Sequence, residues 1–124
     1  MDSTLKITKD QVQGNVPVIV LHLRGWLDAQ SEELLLAAAR DSYDEGSRFI
    51  LMDLAEVDTL TSAGMRAMQK VYKLYMPAEE NFKVARVKLC NAPPQVYHVL
   101  GITGFLLTIP NYETAQAAID AFSE

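Results

Sequence analysis

Thr61, Ser62 and Gly64 fall within the stretch Asp58-Thr59-Leu60-Thr61-Ser62-Ala63-Gly64-Met65, between an apolar run and a helical one. A hydroxyl at a helix entrance has two uses. It can accept a hydrogen bond from a free amide of the first turn, a cap worth about 1 kcal/mol. It can also carry a phosphate, because those amides and the helix dipole favour negative charge. Ser62 is expected at or near the N-cap. Gly64 would cost about 1 kcal/mol relative to alanine inside a helix. Its bare α-carbon leaves room for another backbone or for a partner's side chain. A phosphate on Ser62 would add about 1.5 to 2 negative charges with the helix intact. An ordinary cap is by itself a complete account of these residue types, and a phosphorylation site is the second use they allow.

Other chemistry finds little to use. The two histidines, His22 and His98, stand in no HxxxH or HxH pattern, so no zinc site and no metal is expected. His22 lies inside an apolar strand and reads as a hydrogen-bonded strand residue rather than a general base. No GxGxxG or GxxxxGK[ST] loop is present, and no cofactor is expected. Asp53, Glu56 and Asp58 cluster at the end of one strand and read as a solvated acidic turn. Ser62 lies in Ser-Ala-Gly, not in the GxSxG of a hydrolase elbow. Cys90, the single cysteine, follows Val87-Lys88-Leu89 and reads as a buried, inert thiol. A binding protein is therefore expected, not an enzyme.

The 124 residues fit one domain, residues 1–124, and 49% hydrophobic residues suffice for a packed core. The longest helical apolar run, Leu34 to Ala39, falls well short of the ~20 residues of a membrane span. The N-terminus, MDSTLKITKD, lacks the pattern of a signal peptide, so a cytoplasmic location is the expectation, without membrane insertion. Net charge is −5 and uneven: residues 1–62 hold five basic and eleven acidic side chains, net −6, and residues 63–124 hold six and five, net +1. No basic stripe is available for a nucleic-acid backbone.

The elements that must position Ser62 alternate. Strands are expected at Leu5–Thr8 and Val16–Leu23, joined as a hairpin through Gly14-Asn15, with Pro17 tolerated at the strand's start. Gly25-Trp26-Leu27-Asp28 reads as a break. Asp28 or Ser31 then caps a helix running to about Glu45, stopped by Gly46. A strand at Phe49–Leu54 and a helix from about Ser62 to Met76 follow. In that helix Met65, Met68, Val71, Tyr72 and Tyr75 share an apolar face opposite Arg66, Gln69, Lys70 and Lys73. Residues 77–82 read as a loop. A strand at Val84–Leu89, a short helix after Pro93-Pro94 ending near Gly101, a strand at Phe105–Ile109 and a helix at Thr114–Phe122 complete the chain. Late strands alternating with helices imply parallel pairing, so the class is α/β with a mixed, mostly parallel five-stranded sheet.

The run from Phe49 to Met65 resembles the signature of the STAS domain in bacterial anti-sigma factor antagonists: an apolar strand, an Asp- or Asn-Leu pair, an acidic loop, then Asp-Ser-[Ser/Thr]-Gly-Leu-Gly. Gly25-Trp26-Leu27-Asp28 is similar to the family's Gly-x-Leu-Asp, and Leu100 to Phe105 to its Leu-x-x-x-Gly-Leu turn. The likeness covers nearly the whole chain. It implies that the unphosphorylated protein binds an anti-sigma factor that is also a serine kinase, a GHKL-type ATPase, and so frees a sigma factor. It implies phosphorylation of Ser62, which breaks that complex, and restoration by a PP2C-type phosphatase. Ser62 matches the motif serine, Gly64 the glycine, and Asp28 the aspartate near the binding surface. The implied docking face comprises Asp28, Thr59, Thr61, Ser62, Gly64, Met65, Arg66 and Gln69. Thr61 replaces the motif's aspartate and Arg66 its second glycine. The family's other use is as a scaffold, or as a soluble subunit of a signalling complex or of a lipid- or anion-transport system, without phosphorylation.

Overall fold

The computed structural model describes residues 5–76 and 85–123. Five strands form one sheet in the order of the chain: β1 (Lys6–Gln13), β2 (Pro17–Leu27), β3 (Ile50–Leu60), β4 (Val87–Cys90) and β5 (Asn111–Tyr112). β1 pairs with β2 antiparallel, as the hairpin signal predicts, and the other pairings are parallel. The α-helices are α1 (Glu32–Asp44), α2 (Ser62–Tyr75), α3 (Pro94–Ile102) and α4 (Ala115–Ala121).

Sequential strand order explains where the helices lie. α1, α2 and α3 each connect one parallel strand to the next in the same direction, and right-handed crossovers place all three on one face. There they pack on Ile19, Leu21, Leu23, Ile50, Met52 and Leu54 with Leu35, Met68, Val71 and Leu100. α4 follows the last strand and is free to cover the other face. It packs with Phe122 on Val18, Val20, Leu51 and Cys90. The alternation Val18/Val20 against Ile19/Leu21 is the period of two by which a strand feeds two cores.

Several expected elements have different bounds. β1 runs past Thr8 to Gln13. Gly25-Trp26-Leu27 does not break β2. Two register shifts beside β3, after His22 and after Gly25, absorb the irregularity, with Gly25 at φ 106, and the strand continues to Leu27. The expected acidic turn is strand as well: β3 continues through Glu56 and Asp58 to Leu60, paired with β2. Phe105–Ile109 is not a strand. Gly104 at φ 77 turns the chain into a 3-10 helix, Phe105–Leu107, and Phe105 and Ile109 plug the α-helical core from there. The strand that follows is the two-residue β5. β4 ends at Cys90. The expected loop at 77–82 and the start of the fourth strand at Val84 lie outside the described residues.

Candidate docking site around Ser62

β2 and β3 run side by side to their C-terminal ends, Leu27 against Leu60, and deliver the two segments that build the site. After β2, Asp28 caps the 3-10 helix Ala29–Ser31. Its Oδ1 accepts from the amides of Gln30 (3.1 Å) and Ser31 (3.2 Å), and its own amide donates to Ser31 Oγ at 2.8 Å. This reciprocal box fixes a half-buried carboxylate beside the start of α2. After β3, the chain enters α2 through Thr61.

Thr61, not Ser62, is the N-cap. Its backbone is extended, and Oγ1 accepts from the Gly64 amide at 3.2 Å. Ser62 is the first helical residue, and that corrects the expectation that its hydroxyl caps the helix. It is exposed, and its hydroxyl makes no hydrogen bond among the described residues. Thr61 thus performs the structural task and leaves the neighbouring oxygen uncommitted.

Gly64 is buried. A Cβ built on it would overlap the carbonyl oxygen of Leu27 and lie 2.7 Å from that carbonyl carbon. The same Leu27 oxygen accepts from the Thr61 amide at 3.1 Å. The missing side chain therefore admits the end of β2, the backbone alternative, and offers a partner almost no surface.

Ser62 lies on a ridge between two open grooves. One, about 590 Å³, is lined by Trp26, Asp28, Gln30, Thr61, Ser62 and neighbouring alanines. The other, about 260 Å³, is lined by Ser62, Met65, Arg66, Gln69 and the turn Thr103–Phe105 with Thr108. Asp28, Thr61, Ser62, Met65, Arg66 and Gln69 are thus brought together. Met65 contributes little, being 9% exposed with its sulfur 3.6 Å from Thr103 Oγ1. Thr59 lines neither groove and stands behind Trp26 as its register partner on β3.

A model of the STAS domain matches residues 8–118. The chain belongs to the STAS family. This STAS domain is 30% identical over 118 residues to the Bordetella bronchiseptica protein BtrV, which bears the name anti-sigma factor antagonist, across 95% of each chain. Its fold matches the crystal structure of an anti-sigma factor antagonist from Mycobacterium paratuberculosis, with TM-score 0.81, 19% identity, and coverage of 100% of this chain and 98% of the other. It also matches the phosphorylated form of SpoIIAA, a Bacillus cell fate determinant, with TM-score 0.65, 19% identity, and coverage of 93% and 97%. The mixed sheet with helices is the fold of these antagonists.

In this STAS domain the groove residue that sequence reasoning misses is Trp26, 43% exposed beside the Ser62 ridge. Reading Gly25-Trp26-Leu27-Asp28 as a break hides that a strand carries the indole outward. Gln30 and Thr103 are missed as well: the first enters the site from the 3-10 helix after β2 and the second from the end of α3.

The second cluster of polar side chains lies on the far face of the sheet, beyond the reach of α4. His22 Nδ1 is 2.7 Å from Asp53 Oδ2 and its Nε2 is 2.8 Å from Asp10 Oδ2. A carboxylate can only accept, so the ring satisfies both partners at once only when both of its nitrogens carry a proton, as an imidazolium. Burial alone would lower the His22 pKa, but the bonds to Asp53 and Asp10 outweigh it and hold the pKa above the ordinary value. Burial would likewise raise Asp53, but the Ala55 amide, Asn91 and His22 outweigh it and hold it low. Asp53 thus sits half-buried in a hydrogen-bond network, not in a solvated turn. Cys90, near Asp53, is fully buried, and burial first, then that carboxylate, pushes its thiol up to about 12. It is the inert thiol expected. The longest described helix, α2, has 14 residues, and no described helix is long and apolar enough to cross a membrane.

Proposed function

We propose that this STAS domain is the antagonist in a cytoplasmic partner switch. In its unphosphorylated form the ridge at Ser62, with Asp28 and Arg66 on either side, docks an anti-sigma factor that is itself a serine kinase of the GHKL ATPase type, and a sigma factor is released. The kinase transfers the γ-phosphoryl group of ATP to Ser62 Oγ. ADP leaves and the hydroxyl proton passes to a base of the kinase. A PP2C-type phosphatase returns the serine by hydrolysis.

The observation that carries this reading is the division of labour between two adjacent hydroxyls. Thr61 Oγ1 is tied into the cap, while Ser62 Oγ is exposed and free on a ridge between two grooves. Modifying Ser62 leaves the cap in place. The phosphate adds about 1.5 to 2 negative charges where a partner must desolvate the surface, so docking weakens through charge and hydration. A fold shared with a protein solved in a phosphorylated form supports the reading.

Incubation with the cognate kinase and ATP tests it by intact mass. One phosphate is expected on the wild type and none on Ser62→Ala. A wild-type mass that never changes, or phosphate that persists in Ser62→Ala, overturns it.

A further inference from the structure

We infer that a phosphate on Ser62 is captured by Arg66, so that phosphorylation both adds charge to the docking face and withdraws that face's free guanidinium. The inference rests on Ser62 being the modified residue, and concerns what the phosphate does once there.

Ser62 and Arg66 are four residues apart in one unbroken helix, both exposed. Such residues are neighbours on the helix surface, with Cβ atoms about 5–6 Å apart. Helical side chains lean toward the N-terminus, so a long side chain at the later position covers the turn that holds the earlier one. Arg66 therefore leans over the Ser62 turn, and the two line the same groove.

The guanidinium is uncommitted. Among the described residues Arg66 makes no hydrogen bond and no ion pair. The next basic residue of the helix is engaged: Lys70, one turn further on, pairs with Glu32 at 2.9 Å. Across the ridge, Asp28 is the acidic group facing Ser62, and its Oδ1 is occupied by two amides. The planar fork of Arg matches phosphate oxygens bidentately, which a glycine at this position cannot do. Free Arg66 offers an acidic partner group a contact. Captured Arg66 does not.

The test needs no kinase. Phosphoserine is placed at position 62 during translation, in the full chain and in Arg66→Ala, Arg66→Gln and Arg66→Lys. The second phosphate ionisation is followed by phosphorus NMR against pH. In the arginine protein it is expected lower than in Arg66→Ala and Arg66→Gln by about 0.3 pH unit or more, with Arg66→Lys between. Superimposed titrations in the arginine, alanine and glutamine proteins overturn the inference. The kinase assay above fails or succeeds independently of this result, so the two readings are separable.

Discussion

The carbonyl of Leu27 lies against the bare α-carbon of Gly64, in the space a Cβ would need, and its oxygen also accepts the Thr61 amide at 3.1 Å. One backbone group thus holds the end of β2, the cap of α2 and the glycine of its first turn together. The position of Ser62 relative to Asp28 is set by this junction.

Gly64→Ala discriminates between two effects of opposite sign. In an isolated helix the change stabilises by about 1 kcal/mol. Here the new methyl group meets backbone, which cannot rotate away, and overpacking of this kind costs about 1–3 kcal/mol. A net loss is expected, read as a lower urea midpoint at an unchanged slope. A gain would mean that α2 slides without cost.

Thr61→Ala and Ser62→Ala should separate cleanly in stability although the residues are adjacent. Removing the Thr61 oxygen frees the Gly64 amide and costs about 1 kcal/mol. Removing the Ser62 oxygen breaks no bond among the described residues and should stay within about 0.5 kcal/mol. Thermal denaturation of the two variants measures this. Equal losses would show Ser62 sharing the cap.

Trp26 is the single tryptophan and flanks the Ser62 ridge. A large amphipathic ring in the middle of a docking face is the residue type that dominates binding energy. Trp26→Ala is expected to weaken the proposed complex with an anti-sigma factor by about tenfold or more. Docking should shift the indole emission to shorter wavelength as water leaves. Calorimetry with the variant and a fluorescence titration of the wild type measure the two. An unmoved emission maximum together with unchanged affinity would place the interface elsewhere.

How much of this is legible in sequence varies with the kind of signal. The face of α2 is legible because its apolar period continues without interruption from Met65 to Tyr75. The ends of β2 and β3 are not. Gly25, Glu56 and Asp58 are loop residues by local preference, and a neighbouring strand, paired through two bulges, overrides that preference. Phe105 and Ile109 carry strand-like side chains, yet Gly104 turns the chain so that Phe105 plugs the core from a 3-10 helix and Ile109 from just beyond it. Ser62 stands out by residue type and place. The job of its neighbour Thr61 does not, because adjacent hydroxyls compete for one cap and only the backbone angles decide which one wins. The partner of Gly64 is 37 residues earlier in the chain, so the need for glycine is visible in sequence without its cause.

The bracket Asp10–His22–Asp53 predicts how stability follows pH. The folded pKa of His22 lies above its ordinary 6.5. The protonated ring therefore contributes its full stability below pH 6.5, and the contribution is lost as pH rises through the folded value. Asp53 behaves oppositely, since its folded pKa lies below 3.8. Its contribution is present above pH 3.8 and is lost as pH falls through the folded value. Because the two groups form one ion pair, they bound a single plateau rather than adding two. On the alkaline side a neutral ring can donate to only one of its two carboxylates, and β1, which carries Asp10 at the sheet edge, loses a tie to β2. Melting temperatures from about pH 5 to about pH 9 should fall above pH 6.5 in the wild type and lose that fall in His22→Gln, which cannot take up a proton. Parallel curves for the two proteins would show that folding leaves the His22 pKa where it is in the unfolded chain.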